Sequence, residues 1–170
     1  NAINFEAPLV EVLDGKYCLE LFHGPSLAFK DFGARFMAQL MSYFLRKEKK
    51  EINILVATSG DTGSAVAQGF LGTPGINVTI LYPSGKVSAN QEKQLTTLGQ
   101  NITALEVDGV FDDCQQMVKS AFLDEELQSK LNLSSANSIN IARLIPQSFY
   151  YWAAYAQLKG LGKEVVFSVP

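Results

Sequence analysis

The stretch INILVATSGDTG, residues 52–63, joins a short apolar run to a turn that contains two glycines, and it decides the fold class. Residues 52–57 are predominantly apolar, as expected for a strand that is buried on both faces of a sheet. A helix is expected to begin near Thr62 and to end at Gly72, before the breaker Pro74-Gly75. A strand that turns into a helix in this way is the repeating unit of a parallel sheet, so the stretch predicts an α/β protein.

The same alternation of strands and helices continues on both sides of this stretch. The predicted helices cover residues 26–46, 88–99, 112–127 and 139–158, the last of them kinked at Pro146. The other predicted strands cover residues 77–82, 102–107 and 165–169, and residues 132–137 are expected to form a polar loop. Strands that alternate with helices imply right-handed crossovers, and therefore a parallel sheet with helices on both faces.

The composition indicates a packed globular protein. Of the 170 residues, 47% are hydrophobic, which argues against disorder, and the net charge of −3 gives no electrostatic case for a nucleic-acid partner. The two cysteines form no disulfide framework, and no His or Cys partners stand at metal-binding spacing, so we expect a reducing cytoplasm and no metal. No apolar run approaches the ~20 residues that span a bilayer, so no membrane partner is expected.

The turn at residues 58–63 has the features of an anion site. Backbone N–H groups at a helix N-terminus attract an anion together with the helix dipole, and Ser59 and Thr62 add hydroxyl donors. In open α/β sheets, such a turn lies at the ligand crevice. The alternative is a purely structural turn in which Asp61 caps the helix.

Lys30 lies in the aromatic run HGPSLAFKDFG, residues 23–33, near the expected start of a long helix. An ammonium group among Phe side chains is disfavoured, and the neutral amine can attack a carbonyl to form a Schiff base. The alternative is a solvated lysine in the first helical turn that pairs with Asp31.

A third polar segment, SANSINIAR at residues 135–143, also leads into a predicted helix. Its hydroxyls, its amides and the planar guanidinium of Arg143 could together clamp a phosphate. The alternative is that the Asn and Ser side chains cap the helix while Arg143 lies on its solvated face.

Four stretches occur in the order HGPSLAFKDFG (23–33), ATSGDTGSA (57–65), ILYPSGKVS (80–88) and SANSINIARL (135–144). In this order they resemble the threonine synthase family, pyridoxal-phosphate enzymes of fold type II that are similar to the tryptophan synthase β chain. The resemblance implies that residues 1–31 and 138–170 belong to a larger domain and that residues 32–137 form a smaller one. We expect the chain to be the middle of a longer enzyme, to stop before the loop for the cofactor's phosphate, and to be inactive by itself.

The activity that the resemblance implies is the conversion of O-phosphohomoserine and water to threonine and phosphate. Lys30 would be the catalytic residue and would hold pyridoxal 5'-phosphate as a Schiff base. Asp61 would face the cofactor's 3-hydroxyl, at a position where many relatives carry Asn.

The resemblance also implies two groups of substrate-binding residues. The turn residues Thr58, Ser59, Gly60 and Thr62 would hold the α-carboxylate of the substrate. Asn137, Ser138 and Arg143 would surround its phosphate.

Other functions remain open from the residues alone. One is another fold type II lyase, such as a serine/threonine dehydratase or a cysteine synthase, although the segment SANSIN (135–140) favours the synthase. Another is a catalytically silent homologue that only binds a ligand. No oligomeric state follows from the sequence.

Overall fold

A computed structural model describes residues 2–137 and 140–169 of the chain. Its first elements are the antiparallel strands β1 (Leu9–Leu13) and β2 (Lys16–Leu19). They are joined at Asp14-Gly15, where Gly15 adopts a left-handed φ of 67°. This hairpin was not predicted from the sequence, although Asp-Gly between two strands is a typical turn.

Four parallel strands form the central sheet, in the spatial order β5-β4-β3-β6. They are β3 (Ile52–Ala57), β4 (Ile76–Pro83), β5 (Ile102–Val107) and β6 (Leu133–Ser135). Strands β3 and β5 have the predicted bounds, and β4 is longer than its prediction by one residue at each end. The predicted parallel sheet is therefore confirmed.

Seven α-helices lie within the described residues. They are α1 (Lys30–Glu48), α2 (Asp61–Phe70), α3 (Ala89–Thr96), α4 (Phe111–Leu123), α5 (Glu125–Lys130), α6 (Ile141–Leu144) and α7 (Phe149–Leu158). Within this part of the chain, no helix has the length and apolar character that crossing a membrane requires.

The helices cover both faces of the sheet, as predicted. On one face, α1, α2 and α3 contribute Met37, Phe70 and Leu95 to the main core, where they meet β4 through Ile80. On the other face, Cys114 and Val118 of α4 pack in a smaller cluster with Ala57 and Leu81. Adjacent residues of β4 thus point into different cores, which explains why the strand sequence is apolar at successive positions.

Helix α1 begins at Lys30, four residues later than the predicted start at Ser26. The backbone N–H of Leu27 donates to the carbonyl of Gly24 at 3.0 Å, and Leu27 has a left-handed φ of 59°. Ser26 is bound to the side chain of Asp31 instead of starting the helix. A turn held by these contacts therefore precedes the helix.

The polar loop predicted for residues 132–137 contains strand β6, so this prediction was wrong. Ser135 is paired with Leu55 of β3, and the N–H of Asn53 donates to the carbonyl of Asn132 at 2.8 Å. A short strand at the edge of a sheet needs backbone partners more than apolar side chains, and hydrophobicity therefore did not reveal it.

Two predicted helices are divided in the structure. The helix expected over 112–127 ends at Leu123, and the side chain of Asp124 accepts a hydrogen bond from the N–H of Leu127 at 3.0 Å to start α5. The helix expected over 139–158 is interrupted by a 3₁₀ turn at Ile145–Ser148, which contains Pro146. The segment around this proline thus divides the predicted helix into two, where the sequence predicted one kinked helix.

The strand predicted over residues 165–169 is absent, since residues 164–169 form no regular element. Val166 and Val169 are 82% and 67% exposed, and the ring of Phe167 packs against Tyr151 with centroids 5.2 Å apart. Apolar β-branched residues need an adjacent strand edge to form a ladder, and within the described residues this segment pairs with none.

Candidate active site

The candidate site lies where strand β3 ends and helices α1 and α2 begin. The chain leaves β3 at Ala57, turns through residues 58–60 and enters α2 at Asp61. Lys30, the first residue of α1, faces this turn. The carboxyl end of a parallel strand is the usual ligand edge of such a sheet.

Thr58 holds the turn together and is itself buried. Its hydroxyl oxygen accepts hydrogen bonds from the N–H groups of Gly60 at 3.0 Å and Gly63 at 2.8 Å, and the hydroxyl donates to the carbonyl of Gly60 at 3.1 Å. A Cβ on Gly63 would lie 2.5 Å from the Cγ2 of Thr58, so this close approach requires a glycine. Thr58 therefore shapes the turn from inside.

The first turn of α2 remains open towards an anion. Gly60 precedes the helix with φ 152° and ψ −106°, a conformation that favours glycine. The N–H groups of Asp61 and Thr62 point out of the first turn and have no partner within the helix. Ser59 is exposed and Thr62 is half-buried. The alternative in which Asp61 caps the helix is wrong, because Gly60 holds the cap position.

Lys30 makes an ion pair across the opening of the turn. Its Nζ lies 3.7 Å from Oδ2 of Asp61 and 4.6 Å from the centroid of the Phe29 ring. The side chain of Lys30 is 24% exposed, so its amine is partly shielded yet accessible. The alternative pairing of Lys30 with Asp31 is wrong, since Asp31 points into the protein.

Asp31 is fully buried and binds the turn before α1. Its carboxylate accepts hydrogen bonds from the hydroxyl of Ser26 at 2.6 Å and from the N–H of Ser26 at 2.9 Å. Burial raises the pKa of Asp31, and the two bonds from Ser26 oppose that shift. This role of Asp31 was not predicted, since Asp31 was considered only as a partner for Lys30. The Ser five residues upstream was the one signal for it in the sequence.

Gln91 is a further residue of the site that the sequence did not reveal. Its side-chain Nε2 donates to Oδ1 of Asp61 at 2.8 Å. Gln91 also forms a capping box with Ser88 at the start of α3. The same Asp61 carboxylate thus contacts Lys30 through one oxygen and Gln91 through the other.

Asn137 ties the end of β6 to the end of β3. Its Nδ2 donates to the carbonyl of Ala57 at 3.0 Å, and its Oδ1 accepts from the hydroxyl of Ser135 at 3.2 Å. Ser138 lies outside the described residues.

Asn140 caps α6, since its Oδ1 accepts a hydrogen bond from the N–H of Ala142 at 3.0 Å. The alternative of helix capping is therefore correct for Asn140. Asn137 instead links the ends of β3 and β6 beside the site.

Arg143 is buried, with 2% of its surface exposed, so the alternative that placed it on a solvated face is wrong. Its Nη1 donates to the carbonyl of Ala136 at 2.7 Å, and its Nε has no hydrogen-bond partner among the described residues. Burial lowers the pKa of its guanidinium. The carbonyl of Arg143 also lies against the bare α-carbon of Gly33, which brings α6 directly onto α1.

The structure brings one set of the predicted site residues together, and it ties Asn137 and Arg143 to neighbouring backbone carbonyls. Lys30, Asp61 and the turn at 58–62 form one group around the amino end of α2. Asn137 adjoins this group through Ala57, and Arg143 lies beneath the loop that follows β6, through its bond to Ala136.

Known proteins with similar sequences cover this whole region. The chain is 55% identical to the threonine synthase of Escherichia coli (strain K12) over 170 residues, which cover 99% of this chain and 39% of that protein. The chain thus spans about two fifths of the length of the curated relatives it matches.

Solved structures are similar over the same region. The crystal structure of threonine synthase from Escherichia coli matches with a TM-score of 0.81 and 57% identity, over 91% of this chain and 36% of that chain. Threonine synthase from Brucella melitensis, in a crystal structure with bound PLP, matches with a TM-score of 0.88 and 43% identity, over 94% of this chain and 34% of that chain.

The family model described as pyridoxal-phosphate dependent enzyme matches residues 10–168. Because this match extends over nearly the whole chain, the chain belongs to the family of pyridoxal-phosphate dependent enzymes.

Proposed function

We propose that the full-length protein converts O-phosphohomoserine and water to threonine and phosphate, with pyridoxal 5'-phosphate as its cofactor. The observation that carries this proposal is the 3.7 Å approach of the Lys30 amine to Asp61, at the open amino end of α2. The identity of 55% to a threonine synthase over 99% of the chain supports this choice of reaction.

The residues present fit the cofactor. A carbonyl cofactor needs a primary amine that it can reach, and the side chain of Lys30 is partly exposed beside a turn without bulky residues at positions 59 and 60. It also needs a polar partner near that amine, which Asp61 supplies. When bound, pyridoxal phosphate supplies the electron sink for the reaction.

Lys30 has two roles in this proposal. Its Nζ would hold the cofactor, and the same Nζ would move protons at Cα, Cβ and Cγ of the substrate. Asp61 would face the 3-hydroxyl of the cofactor, and its carboxylate would stay beside the Lys30 amine. Phosphate leaves from Cγ and water adds at Cβ, which balances the conversion of O-phosphohomoserine to threonine.

The substrate's α-carboxylate is proposed to bind at the open first turn of α2. Ser59 and Thr62 offer hydroxyl donors, and the free N–H groups of the helix start offer the rest. Thr58 and Gly60 belong to the same site as the residues that give the turn its shape, since the hydroxyl of Thr58 is already bonded inside the turn.

The substrate's phosphate is proposed to bind at Arg143, and Asn137 and Ser138 are proposed as its further ligands. Arg143 has a buried Nε that no described residue satisfies, and such a donor is costly unless a ligand or water pairs with it. A charged guanidinium is also a suitable partner for a dianion.

We further propose that residues 1–31 and 138–170 belong to a larger domain, that residues 32–137 form a smaller one, and that the protein is cytoplasmic. The division is supported by the sheet, since β3 to β6 together with α2 to α5 lie within 32–137.

Borohydride reduction of the cofactor-loaded, full-length protein tests the assignment of Lys30. The mass of the cofactor should appear on the peptide that contains Lys30, and Lys30→Ala should remove both the yellow colour and turnover. Recovery of the label on Lys86 or Lys119 would contradict the assignment.

A second assay tests the reaction itself and separates it from the alternatives. Release of phosphate from O-phosphohomoserine should be matched by formation of threonine. A protein that instead deaminates serine or threonine, or makes cysteine, is another lyase of this family. A protein that takes up the cofactor but turns over none of these substrates is a silent binder.

A further inference from the structure

The side-chain amide of Gln91 has only one orientation that satisfies its neighbours. Its Oε1 accepts from the N–H of Ser88 at 3.2 Å and from the hydroxyl of Ser88 at 3.0 Å. A backbone N–H can only donate, so the oxygen of the amide must face Ser88. The nitrogen of the amide must then face Asp61, to which it donates at 2.8 Å.

The position of Gln91 against the turn is equally restricted. The ideal Cβ of a residue at position 60 would meet the Nε2 of Gln91, and would lie 2.8 Å from its Cδ. The Gln91 amide therefore fills the space that the bare α-carbon of Gly60 leaves. Helix α3 is thereby attached to the turn at the candidate site.

The hydrogen bond from Gln91 restrains an Asp61 side chain that would otherwise rotate freely. Its side chain is 53% exposed, and an exposed carboxylate at the start of a helix is free to rotate into water. The ion pair with Lys30 at 3.7 Å is long, and partly exposed pairs of this kind contribute little by themselves. The hydrogen bond from Gln91 fixes Oδ1, which leaves Oδ2 directed towards Lys30.

We propose that Gln91 is a positioning residue of the active site, which holds the Asp61 carboxylate against Lys30 and so couples helix α3 to the reactive amine. The significance of this coupling for catalysis rests on the proposed role of Lys30. The contact itself does not, so it can be tested in protein that carries no cofactor.

The test measures the reactivity of the Lys30 amine in the cofactor-free, full-length protein. Trace acetylation at neutral pH is followed by mass spectrometry, with the exposed Lys119 of the same sample as the internal reference. Gln91→Met removes the donor and keeps a side chain of similar length. Because an amine held in an ion pair with Asp61 is less available to the reagent, releasing Asp61 should raise the relative acetylation rate of Lys30 by about two- to five-fold.

A double-mutant cycle with Asp61→Asn decides whether Gln91 acts through Asp61. Asp61→Asn should raise the rate by itself, and adding Gln91→Met to it should give no further change. Gln94→Met is the matched control, since it makes the same chemical change in the same helix, and it should leave Lys30 unaffected. Gln91→Ala serves as a second variant if the Met variant folds poorly, as judged by circular dichroism.

An unchanged acetylation rate of Lys30 in both Gln91 variants would overturn the inference. The inference would also be overturned if Gln91→Met raised the acetylation rate of Lys30 by the same factor in the parent protein and in the Asp61→Asn variant. Gln91 would then act on Lys30 by a route that does not involve Asp61. These outcomes are independent of the borohydride experiment, which reports on the cofactor at Lys30 and not on Gln91.

Discussion

The carboxylate of Asp31 accepts two hydrogen bonds from Ser26, one from the hydroxyl at 2.6 Å and one from the backbone N–H at 2.9 Å. These bonds close the turn immediately before helix α1. Two adjacent charged residues thereby receive opposite surroundings, since Asp31 is fully buried while Lys30 faces the open turn. A Cβ on Gly24 would collide with the Asp31 carboxylate, so the turn also depends on a glycine there.

Asp31→Ala should destabilise the protein. It removes both acceptors and leaves the hydroxyl and N–H of Ser26 unpaired in a buried place, so the free energy of unfolding should fall by ~2–3 kcal/mol. Asp31→Asn is the control, because its amide can accept from the N–H and donate to the hydroxyl oxygen of Ser26. It should remain within ~1 kcal/mol of the parent in urea unfolding of the full-length protein. Equal losses in both variants would show that the two bonds are not the cause.

The pH dependence of stability should also report on Asp31. Burial raises its pKa in the folded state, so the folded protein binds the proton more tightly than the unfolded chain. The resulting stability is fully present below the ordinary pKa of an aspartate, about 4, and is lost as the pH rises through the folded-state value. The parent's advantage over Asp31→Asn in the free energy of unfolding should therefore decline as the pH rises. A difference that grows with pH would contradict the sign of this shift.

Thr58→Val should loosen the turn at the candidate site. Val has the same shape, but it leaves the N–H groups of Gly60 and Gly63 without their acceptor. We expect a loss of ~1–3 kcal/mol in the free energy of unfolding. Thr58→Ser keeps the hydroxyl and should lose less. If the Val and Ser variants are equally stable in denaturant unfolding, the hydroxyl does not hold the turn.

Gly33→Ala should separate α6 from α1. The added Cβ would meet the backbone carbonyl of Arg143 and would lie 2.8 Å from Nε2 of Gln147. A backbone atom cannot move aside as a flexible side chain can, so we expect a loss of ~1–3 kcal/mol from overpacking. Gly160→Ala is the control, since a Cβ there would meet nothing within 4 Å. Thermal unfolding of both variants gives the comparison, and similar melting temperatures would refute the close contact.

The sequence predicted the buried part of the fold better than its edges. Residues 52–57 and 102–107 were predicted as strands with the bounds that β3 and β5 have, because apolar runs report burial directly. Strand β6 was predicted as a loop, and the strand predicted over 165–169 does not form. Both depend on which backbone edge lies alongside, and that is a property of the tertiary structure.

The candidate site was predicted in its reactive residues and missed in its supporting ones. Lys30 and the turn at 58–62 were predicted as site residues from local chemistry together with the family resemblance, and the structure brings them together. Gln91 contacts Asp61 across 30 positions of sequence, and no local pattern indicates such a pair. Asp31 lies beside Lys30, but the direction of its side chain depends on the turn that Ser26 forms.

Arg143 offers the last and most specific prediction. Its guanidinium is buried and holds the carbonyl of Ala136, while its Nε remains unpaired among the described residues. If Arg143 binds the phosphate of O-phosphohomoserine, Arg143→Ala removes a charge-assisted contact from a desolvated site, which costs ~2–5 kcal/mol. We therefore expect kcat/KM to fall by roughly 30-fold or more.

Arg143 also holds the loop at Ala136 through a hydrogen bond. Loss of activity by itself therefore does not show whether Arg143 binds the substrate or maintains the loop. Inorganic phosphate, as the product, helps with the separation, since it can make the phosphate contact without the rest of the substrate. Arg143→Ala should raise that inhibition constant by a factor similar to the fall in kcat/KM, while the absorption band of the bound cofactor stays unchanged. Arg143→Lys keeps a charge but loses the planar pair of donors. Its inhibition constant for phosphate should therefore lie between those of the parent and of Arg143→Ala. A variant that loses activity and cofactor together, with phosphate inhibition unaltered, would assign Arg143 to the structure of the loop and not to the substrate.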